Sequence, residues 1–191
     1  MSVAVRRVRA GEGARVRDLR LRAVDDPAAP IAFLTTRDEE LARDAAFWEE
    51  RASGGATGDS AAMFVAEVHD EWIGTATVLV RRANEVDHTG RRSTADYAQV
   101  VGVYVDPARR GSGVIDSLLQ AAAEWTSDRG FAALSLDVHA DNTRAQTAYR
   151  RAGFIDTGER FTSSIGPELG MTRSLRSSAA AAHADTGSVR A

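Results

Sequence analysis

Four consecutive residues, Arg110-Gly111-Ser112-Gly113, have the composition of a phosphate-binding turn. They follow a strand-like run that ends at Val105 and a turn marked by Pro107, and they precede an amphipathic stretch. The first amides of a helix lack partners within the helix and lie at the positive end of its dipole, and glycines let an anion approach the backbone. Arg110 can add a positive charge. The sequence therefore predicts an anion cradle here, although an ordinary glycine turn gives the same local pattern.

A dinucleotide-binding turn is the main alternative for this motif, because it also places Gly-x-Gly between a strand and a helix. The third glycine of that fingerprint is missing, and Asp116 follows Gly111–Ile115. A carboxylate is a poor neighbour for a pyrophosphate. The motif also lies past the middle of the chain, and one strand-helix-strand unit is too little for a doubly wound sheet.

Asn142 and Tyr149 mark a second candidate segment. Asn142 stands at the start of an amphipathic stretch, where asparagine commonly caps a helix. Tyr149 lies on the stripe of Ala145 and Ala148, so it is either a core aromatic or a proton donor that faces a site. Gly153 follows the stretch, as a helix-ending glycine does.

The elements that must position these residues alternate along the C-terminal half of the chain. Such alternation predicts parallel strands with helices packed on them. The predicted strands are Gln99–Val105 and Phe131–His139, and the predicted helices are Gly111–Arg129 and Asn142–Ala152.

The N-terminal half predicts a strand, two helices and a β-hairpin, and two further strands close the domain. We expect one domain over residues 1–175 and a disordered tail over Arg176–Ala191, which lacks large apolar side chains. The predicted strands are Val3–Val8, Met63–Val68, Trp72–Val80, Phe154–Ile155 and Leu169–Leu175; the helices are Ala14–Asp25 and Asp38–Arg51, with loops at Ser53–Ser60 and Arg81–Thr94.

Composition narrows the function classes. The chain has 191 residues, 43% of them hydrophobic, which suits one sizeable core. A net charge of −3 argues against a nucleic-acid or anionic-membrane partner. The absence of cysteine excludes disulfides, thiolate metal sites and an acyl-cysteine intermediate. We also expect no metal, because the histidines show no ligand spacing, and a cytoplasmic location, because no signal or membrane-spanning stretch is evident.

On these residues the sequence resembles the GNAT superfamily of N-acetyltransferases. Arg110, Gly113 and the strand Val101–Val105 match its motif A, whereas Ile115 stands where the family has Gly or Ala. Together with a second conserved segment downstream, the match covers roughly residues 97–158. The downstream residues that match a second conserved segment are Val138, Asn142, Ala145, Tyr149, Gly153 and Phe154.

The resemblance implies a mixed α/β fold, with a central mixed sheet of about six to seven strands flanked by about four helices. It also implies that the strands ending at Val105 and near His139 splay apart into a notch for the pantetheine arm of acetyl-CoA, the expected acyl donor. The implied donor-binding residues are Val103, Tyr104, Val105, Arg110, Gly111, Ser112, Gly113, Val114, Ile115 and Asn142.

The implied reaction is direct attack of an amine on the thioester, and Tyr149 occupies the family's position for the donor to the departing thiolate. The general base stays open. Several family members carry a glutamate where this chain has Gln99, which cannot accept a proton. Asp137, His139, Glu67 or a water relay are the alternatives.

The expected acceptor is a small-molecule or peptide amine, and a homodimer is compatible with the sequence. A hypothesis from another class is a CoA-binding regulatory module without catalysis, to which the missing glutamate at Gln99 lends support. Release of free thiol in the presence of amines distinguishes the two, because a regulatory module binds CoA without turnover.

Overall fold

A computed structural model describes residues 3–87 and 90–175, so the predicted tail Arg176–Ala191 lies outside the described residues. None of the helices in these two ranges has both the length and the apolar composition needed to cross a bilayer. The described elements are β1 (Ala4–Arg7), α1 (Gly13–Val24), α2 (Arg37–Leu41), α3 (Ala45–Thr57), β2 (Ala61–Val68), β3 (Glu71–Arg81), β4 (Tyr97–Val105), α4 (Val114–Asp128), β5 (Ala133–His139), α5 (Thr143–Arg151), β6 (Ile155–Ser163) and β7 (Gly166–Ser174), with 3-10 turns at Ala29–Ile31 and Pro107–Arg109.

The seven strands form one mixed sheet in the order β1-β2-β3-β4-β5-β7-β6. Neighbouring strands are antiparallel except β4 and β5, which are parallel. The strand-helix alternation predicted this parallel pair, because parallel neighbours need a crossover helix between them. The expected mixed α/β fold is confirmed, with five α-helices in the described ranges where about four were expected.

The predicted hairpin is formed by β2 and β3. The strands pair as far as Val68 with Glu71, so two residues, His69 and Asp70, make the turn. Both have left-handed backbones, with φ of 49° and 64°. Two-residue hairpins favour this conformation because its twist matches that of the strands.

The pattern of Asp38–Arg51 predicted a single helix, but the structure has two helices in this stretch. α2 ends at Leu41, and α3 begins at Ala45 after the cap residue Asp44, whose carboxylate accepts a hydrogen bond from the amide of Phe47 at 2.8 Å. Leu41, the last residue of α2, is 41% exposed, whereas Trp48 of α3 is buried.

The predicted loop at Ser53–Ser60 was also partly wrong, because α3 continues to Thr57. Gly55 serves close packing here: a Cβ on it would lie 2.7 Å from the Cβ of Met63. Its carbonyl also accepts a hydrogen bond from Nε of Arg7 at 2.7 Å. Tertiary contacts with β1 and β2 therefore outweigh the low helix propensity of glycine.

The sheet separates two apolar cores. α4 packs across β2, β3 and β4 on one face, in a core that includes Leu118 and Phe154. α1 and α3 pack on β3 and β2 of the other face, where Leu19 and Trp48 are buried. The side chains of β5 and β7 alternate between the two faces of the sheet, and the polar ones lie farther along that second face. We call this region the polar face, and it comprises Ser135, Asp137, His139 and Glu168.

Candidate functional site

β4 and β5 separate before they end. Their parallel pairing comprises three residue pairs, of which the last is Val100 with Leu136. Beyond it, Val101–Val105 and Asp137–His139 line a cavity of about 520 Å³. The notch implied by the sequence resemblance is therefore present.

A β-bulge in β4 accompanies this separation. One residue of β3, Ala76, faces two residues of β4, Gly102 and Val103. Gly102 has a left-handed φ of 61°, which glycine adopts without steric cost. Bulges bend the strand that carries them, so this one turns β4 away from β5. Tyr104 follows the bulge and pairs with Thr75, and its ring joins the core beneath α1 and α3.

The peptide groups of Val103 and Val105 are directed toward the notch. The amide of Asp106 donates to the carbonyl of Ile73 in β3 at 2.8 Å, and successive peptide groups of a strand alternate in direction. Val105 and Val103 therefore point away from β3. The carbonyl of Val105 accepts a hydrogen bond from Nε of Arg110 at 3.0 Å. Val103 lies beyond the last residue of β4 that pairs with β5.

The turn between β4 and α4 has the backbone geometry of an anion cradle. Gly111 and Gly113 have left-handed φ of 79° and 84°, and open space surrounds the position of a Cβ on each. Within the described ranges, the amides from Gly111 to Ile115 donate no hydrogen bond; the first amide of α4 to do so is that of Ser117, to the carbonyl of Gly113 at 3.1 Å. Consecutive free amides at a helix start suit a phosphate.

Arg110 lies at the cavity, but its guanidinium is already bound. It donates to the carboxylate of Asp26 and to the carbonyl of Val105. Burial tends to raise the pKa of Asp26, but hydrogen bonds from the Ala28 amide and from Arg110 outweigh it, and the pKa is lowered. Arg110 therefore connects the residues after α1 to the cradle. A direct contact between Arg110 and phosphate stays a prediction, and it requires Arg110 to share or leave Asp26.

Asn142 caps α5, as its position predicted. Its side-chain oxygen accepts a hydrogen bond from the amide of Ala145 at 3.1 Å, and its nitrogen donates to the carbonyl of Ile31 at 3.4 Å. Ile31 belongs to a stretch that lines the cavity, which we call the 28–33 segment. Asn142 thus connects this segment to α5, and its contact with the donor arm stays a prediction.

Tyr149 lines the same cavity from α5. Its side chain is 8% exposed, and its ring centroid lies 6.1 Å from that of Phe154. No residue of the described part of the chain hydrogen-bonds to its hydroxyl. Burial raises the pKa of Tyr149 to about 12, so the phenol is protonated at neutral pH and free to donate.

Gln99 and Asp137 are joined on the polar face. Oδ2 of Asp137 accepts hydrogen bonds from Nε2 of Gln99 at 2.9 Å and from Arg91 at 2.8 Å. Burial raises the pKa of Asp137, although the charge of Arg91 opposes the shift. Asp137 lines the cavity. Its negative charge is already partly neutralised by Arg91.

His139 and Glu67, two further candidates for the general base, are both poorly suited to it. Nδ1 of His139 accepts a hydrogen bond from the amide of Asp141 at 3.1 Å, so a neutral His139 carries its proton on Nε2. Glu67 is not at the cavity at all. Its carboxylate binds Arg6 of the neighbouring strand β1 at 3.0 Å, which removes it from the candidate bases.

Glu168 is a cavity residue that the sequence analysis missed. It lies directly across from His139 in the pairing of β7 with β5, and it lines the cavity together with Tyr149. Its side chain is 6% exposed, and Oε1 has no hydrogen-bond partner among the described residues. The only sequence signal was its alternation with Leu169 and Met171, which places it on the other face of the strand.

Comparison with known sequences shows what this chain is similar to. The model of the family described as "Acetyltransferase (GNAT) family" matches residues 23–154. An aminoglycoside N(6')-acetyltransferase type 1 of Stenotrophomonas maltophilia is 30% identical over 109 residues, which cover 57% of this chain and 69% of that protein. A mycothiol acetyltransferase of Clavibacter sepedonicus is 36% identical over 96 residues, which cover 47% of this chain and 30% of that protein.

Solved structures share the fold. The acetyltransferase of the GNAT family from Streptococcus pneumoniae has a TM-score of 0.72 at 15% identity, over 92% of this chain and 100% of that chain. A GNAT superfamily phosphinothricin acetyltransferase of Sinorhizobium meliloti, solved in complex with AcCoA, has a TM-score of 0.69 at 18% identity, over 92% of this chain and 89% of that chain.

Proposed function

Because this chain belongs to the GNAT acetyltransferase family, we propose that the cavity between β4 and β5 binds acetyl-CoA and that the protein transfers the acetyl group to a primary amine. One observation carries this proposal. The notch, the turn with free amides and the unpartnered phenol of Tyr149 adjoin a single cavity, which Gly111, Val114 and Ile115 line. The named relatives are acetyltransferases, so they lend no support to a regulatory module without catalysis.

The donor is held by backbone groups. The amides of Gly111–Ile115 bind the pyrophosphate, because they are free donors at the positive end of α4. The peptide group of Val103 pairs with the pantetheine arm in the space that β5 leaves open. An amide on this side of β4 then donates to the thioester oxygen, where negative charge develops during the attack.

Tyr149 stabilises the leaving sulfur. The amine forms a bond to the thioester carbon, and the C–S bond breaks when the tetrahedral intermediate collapses. Burial raises the pKa of Tyr149 to about 12. Full proton transfer to a thiolate, whose conjugate acid has a pKa of about 8.5, is therefore uphill by on the order of 5 kcal/mol. A hydrogen bond that strengthens as charge builds on the sulfur is the role that this phenol can perform.

The acceptor is a small-molecule or peptide amine that enters between the 28–33 segment and the turn from β6 to β7. Phe33 and Ile165 line the cavity from these two sides. The aminoglycoside acetyltransferase among the relatives supports an amine-bearing small molecule. The apolar side chains at this entrance suit the carbon frame of such an acceptor, and the polar face suits its amine.

Purified protein, acetyl-CoA and a panel of amines test this function. We expect CoA and acetyl-CoA to raise the melting temperature more than NAD or ATP does, and at least one amine to increase the release of free thiol. Acetylated product is identified by its mass. A protein that CoA stabilises but that releases no thiol with any amine would favour the regulatory module, and equal stabilisation by NAD would favour a dinucleotide site.

We further propose that residues 1–175 form a single acetyltransferase domain that acts in the cytoplasm without a nucleic-acid or membrane partner. The net charge of −3 supports the last two points, since both partners favour a basic surface. A homodimer stays a prediction, and light scattering after size-exclusion chromatography tests it.

A further inference from the structure

Glu168 is a buried carboxylate for which none of the described residues supplies a counter-ion. Its side chain is 6% exposed, and its Oε1 is unpartnered within the described ranges. Arg91, whose guanidinium packs over Phe161 beside this region, is bound to three other carboxylates. A carboxylate that is buried without a counter-ion is unfavourable in its charged form. Such a group at a cavity indicates a cationic ligand that arrives from solvent.

Glu168 differs in this respect from Asp137, the other carboxylate of the polar face. Oδ2 of Asp137 already accepts hydrogen bonds from Arg91 and Gln99. The two carboxylates are close enough for Glu168 to raise the pKa of Asp137 through its negative charge. A cation that binds at Glu168 is therefore attracted by Asp137 as well, while Glu168 retains the free oxygen.

Glu168 and Tyr149 adjoin the cavity from opposite faces of the sheet. The neighbours of Glu168 along β7, Leu169 and Met171, belong to the core beneath α4, and so does the ring of Tyr149. Glu168 therefore lies on the polar face, across from His139. An amine at Glu168 and a sulfur at Tyr149 occupy different parts of one cavity, as the two ends of an acyl transfer require.

We propose that Glu168 binds the ammonium group of the acceptor and removes its proton, and so acts as the general base. This inference rests on the proposed acetyltransferase function. The carboxylate of Glu168 takes one proton from R–NH3⁺, and the lone pair of the resulting R–NH2 forms a bond to the thioester carbon. The nitrogen loses a second proton as the C–S bond breaks, and the CoA thiolate gains one. Glu168 then releases its proton to solvent, so one proton is released per turnover.

The proposal also predicts the class of acceptor: a primary alkylamine that is protonated in solution. Among the described residues of the neighbouring elements, the charged and titratable groups near Glu168 are Asp137 and His139 on β5, Glu159 on β6 and Arg91 from the loop before β4. Arg91 is paired with Asp137 and Glu159, so the balance is negative and favours a cation.

Glu168→Gln tests this role, because it removes the charge and keeps the shape. The wild type, Glu168→Gln and the control Glu124→Gln, an exposed change on α4, are assayed with spermidine, kanamycin and hydroxylamine as acceptors. We expect Glu168→Gln to lower kcat/KM for spermidine or kanamycin by on the order of a hundredfold or more. Its remaining activity should rise about tenfold per pH unit below the pKa of the amine, because only free amine then reacts. Turnover of hydroxylamine, which is unprotonated at neutral pH, should change only a few fold.

Three results would overturn the proposal. Alkylamine turnover in Glu168→Gln equal to that of the wild type shows that Glu168 is not the base. An equal loss with hydroxylamine shows that Glu168 supports the fold or the donor site instead. If Glu168→Gln melts far below the wild type, Glu168→Asp is tested as well, because it keeps the carboxylate. A Glu168→Asp variant that folds normally but turns over alkylamines no faster than Glu168→Gln contradicts a carboxylate base.

The failure of the proposed function has a different signature. A wild-type protein that binds CoA but acetylates no amine contradicts the acetyltransferase assignment itself. Calorimetry of spermidine binding to the CoA complex then still tests Glu168 as an ammonium site, because equal spermidine affinity in the wild type and Glu168→Gln overturns that role.

Discussion

The hydroxyl of Tyr149 is a donor without an acceptor in the described part of the chain, and it borders the notch that we assign to the thioester. In the proposed mechanism the hydroxyl faces a neutral sulfur in the ground state, and such a sulfur is a weak acceptor. During collapse of the intermediate it faces a developing thiolate, and the hydrogen bond strengthens with that charge. An interaction made mainly in the transition state affects turnover more than binding.

We therefore expect Tyr149→Phe to lower kcat by on the order of a hundredfold while the affinity for acetyl-CoA changes only a few fold. The ring remains in contact with Phe154, so the melting temperature should stay close to that of the wild type. Steady-state kinetics, donor affinity and melting are measured on one preparation. Wild-type turnover in Tyr149→Phe would exclude the hydroxyl from the mechanism.

Gly113 allows a second test at the residue scale. Gly113→Asp places a carboxylate beside the free amides of the cradle, and we expect CoA affinity to fall a hundredfold or more through charge repulsion. Gly113→Asn is the matched control, because asparagine has nearly the same shape, carries no charge and tolerates the left-handed φ of 84°. Calorimetry with CoA should show a much smaller loss for Gly113→Asn. Similar losses in both folded variants would attribute the effect to the backbone and not to charge.

At the scale of elements, α3 shows how packing determines the use of glycine. Gly54 and Gly55 are neighbours in the same helix, but they face different surroundings. A Cβ on Gly54 meets nothing within 4 Å, whereas one on Gly55 would lie 2.7 Å from Met63. Glycine is required at position 55 by the contact of α3 with β2 and is only tolerated at position 54.

This difference predicts opposite effects of the same substitution. Gly54→Ala should raise the free energy of unfolding by about 0.5–1 kcal/mol, because alanine favours the helix. Gly55→Ala should lower it by about 1–3 kcal/mol, because the added methyl overpacks the contact with Met63. Urea unfolding followed by circular dichroism measures both. Stabilisation by Gly55→Ala would show that α3 and β2 are less closely packed than described.

For the whole molecule, several carboxylates connect elements that are distant in sequence. Glu40 of α2 accepts hydrogen bonds from Nε of Arg20 at 2.7 Å and from the hydroxyl of Thr35 at 2.5 Å. Burial tends to raise the pKa of Glu40, but these partners outweigh it and lower the pKa. Asp26 and Glu12 also have lowered pKa values in the folded chain, through hydrogen bonds that include those from Arg110 and Arg6, respectively.

The sign of the pH dependence follows. A group whose pKa is lower in the folded chain than in the unfolded chain stabilises the fold above the unfolded value and loses this effect as the pH falls through the folded value. We expect the melting temperature to fall as the pH is lowered below about 4.3, the ordinary pKa of glutamate. Glu40→Gln should be less stable at pH 7 and should show a weaker fall in acid. An equally steep fall in Glu40→Gln would mean that Glu40 does not contribute.

Local patterns in the sequence determined most of the region that we assign to the acyl donor. The parallel pair β4 and β5, the cradle at Gly111–Gly113, the cap at Asn142 and the position of Tyr149 on α5 were all predicted from strand-helix alternation, glycine placement, capping chemistry and helical periodicity. Each of these features depends on residues that are close together along the chain, so a single sequence contains the necessary information.

Tertiary structure decided the features that depend on residues far apart. Asp26 and Arg110 are distant in the sequence, and no local pattern predicts that Asp26 binds the guanidinium for which the sequence analysis predicted a phosphate. Glu67 was excluded by its pairing with Arg6 across two strands, and Gly55 was kept helical by its contact with β2. Glu168 becomes a candidate site residue only through the pairing of β7 with β5. This pairing brings an isolated glutamate into a buried position at the cavity, without a counter-ion from the described residues.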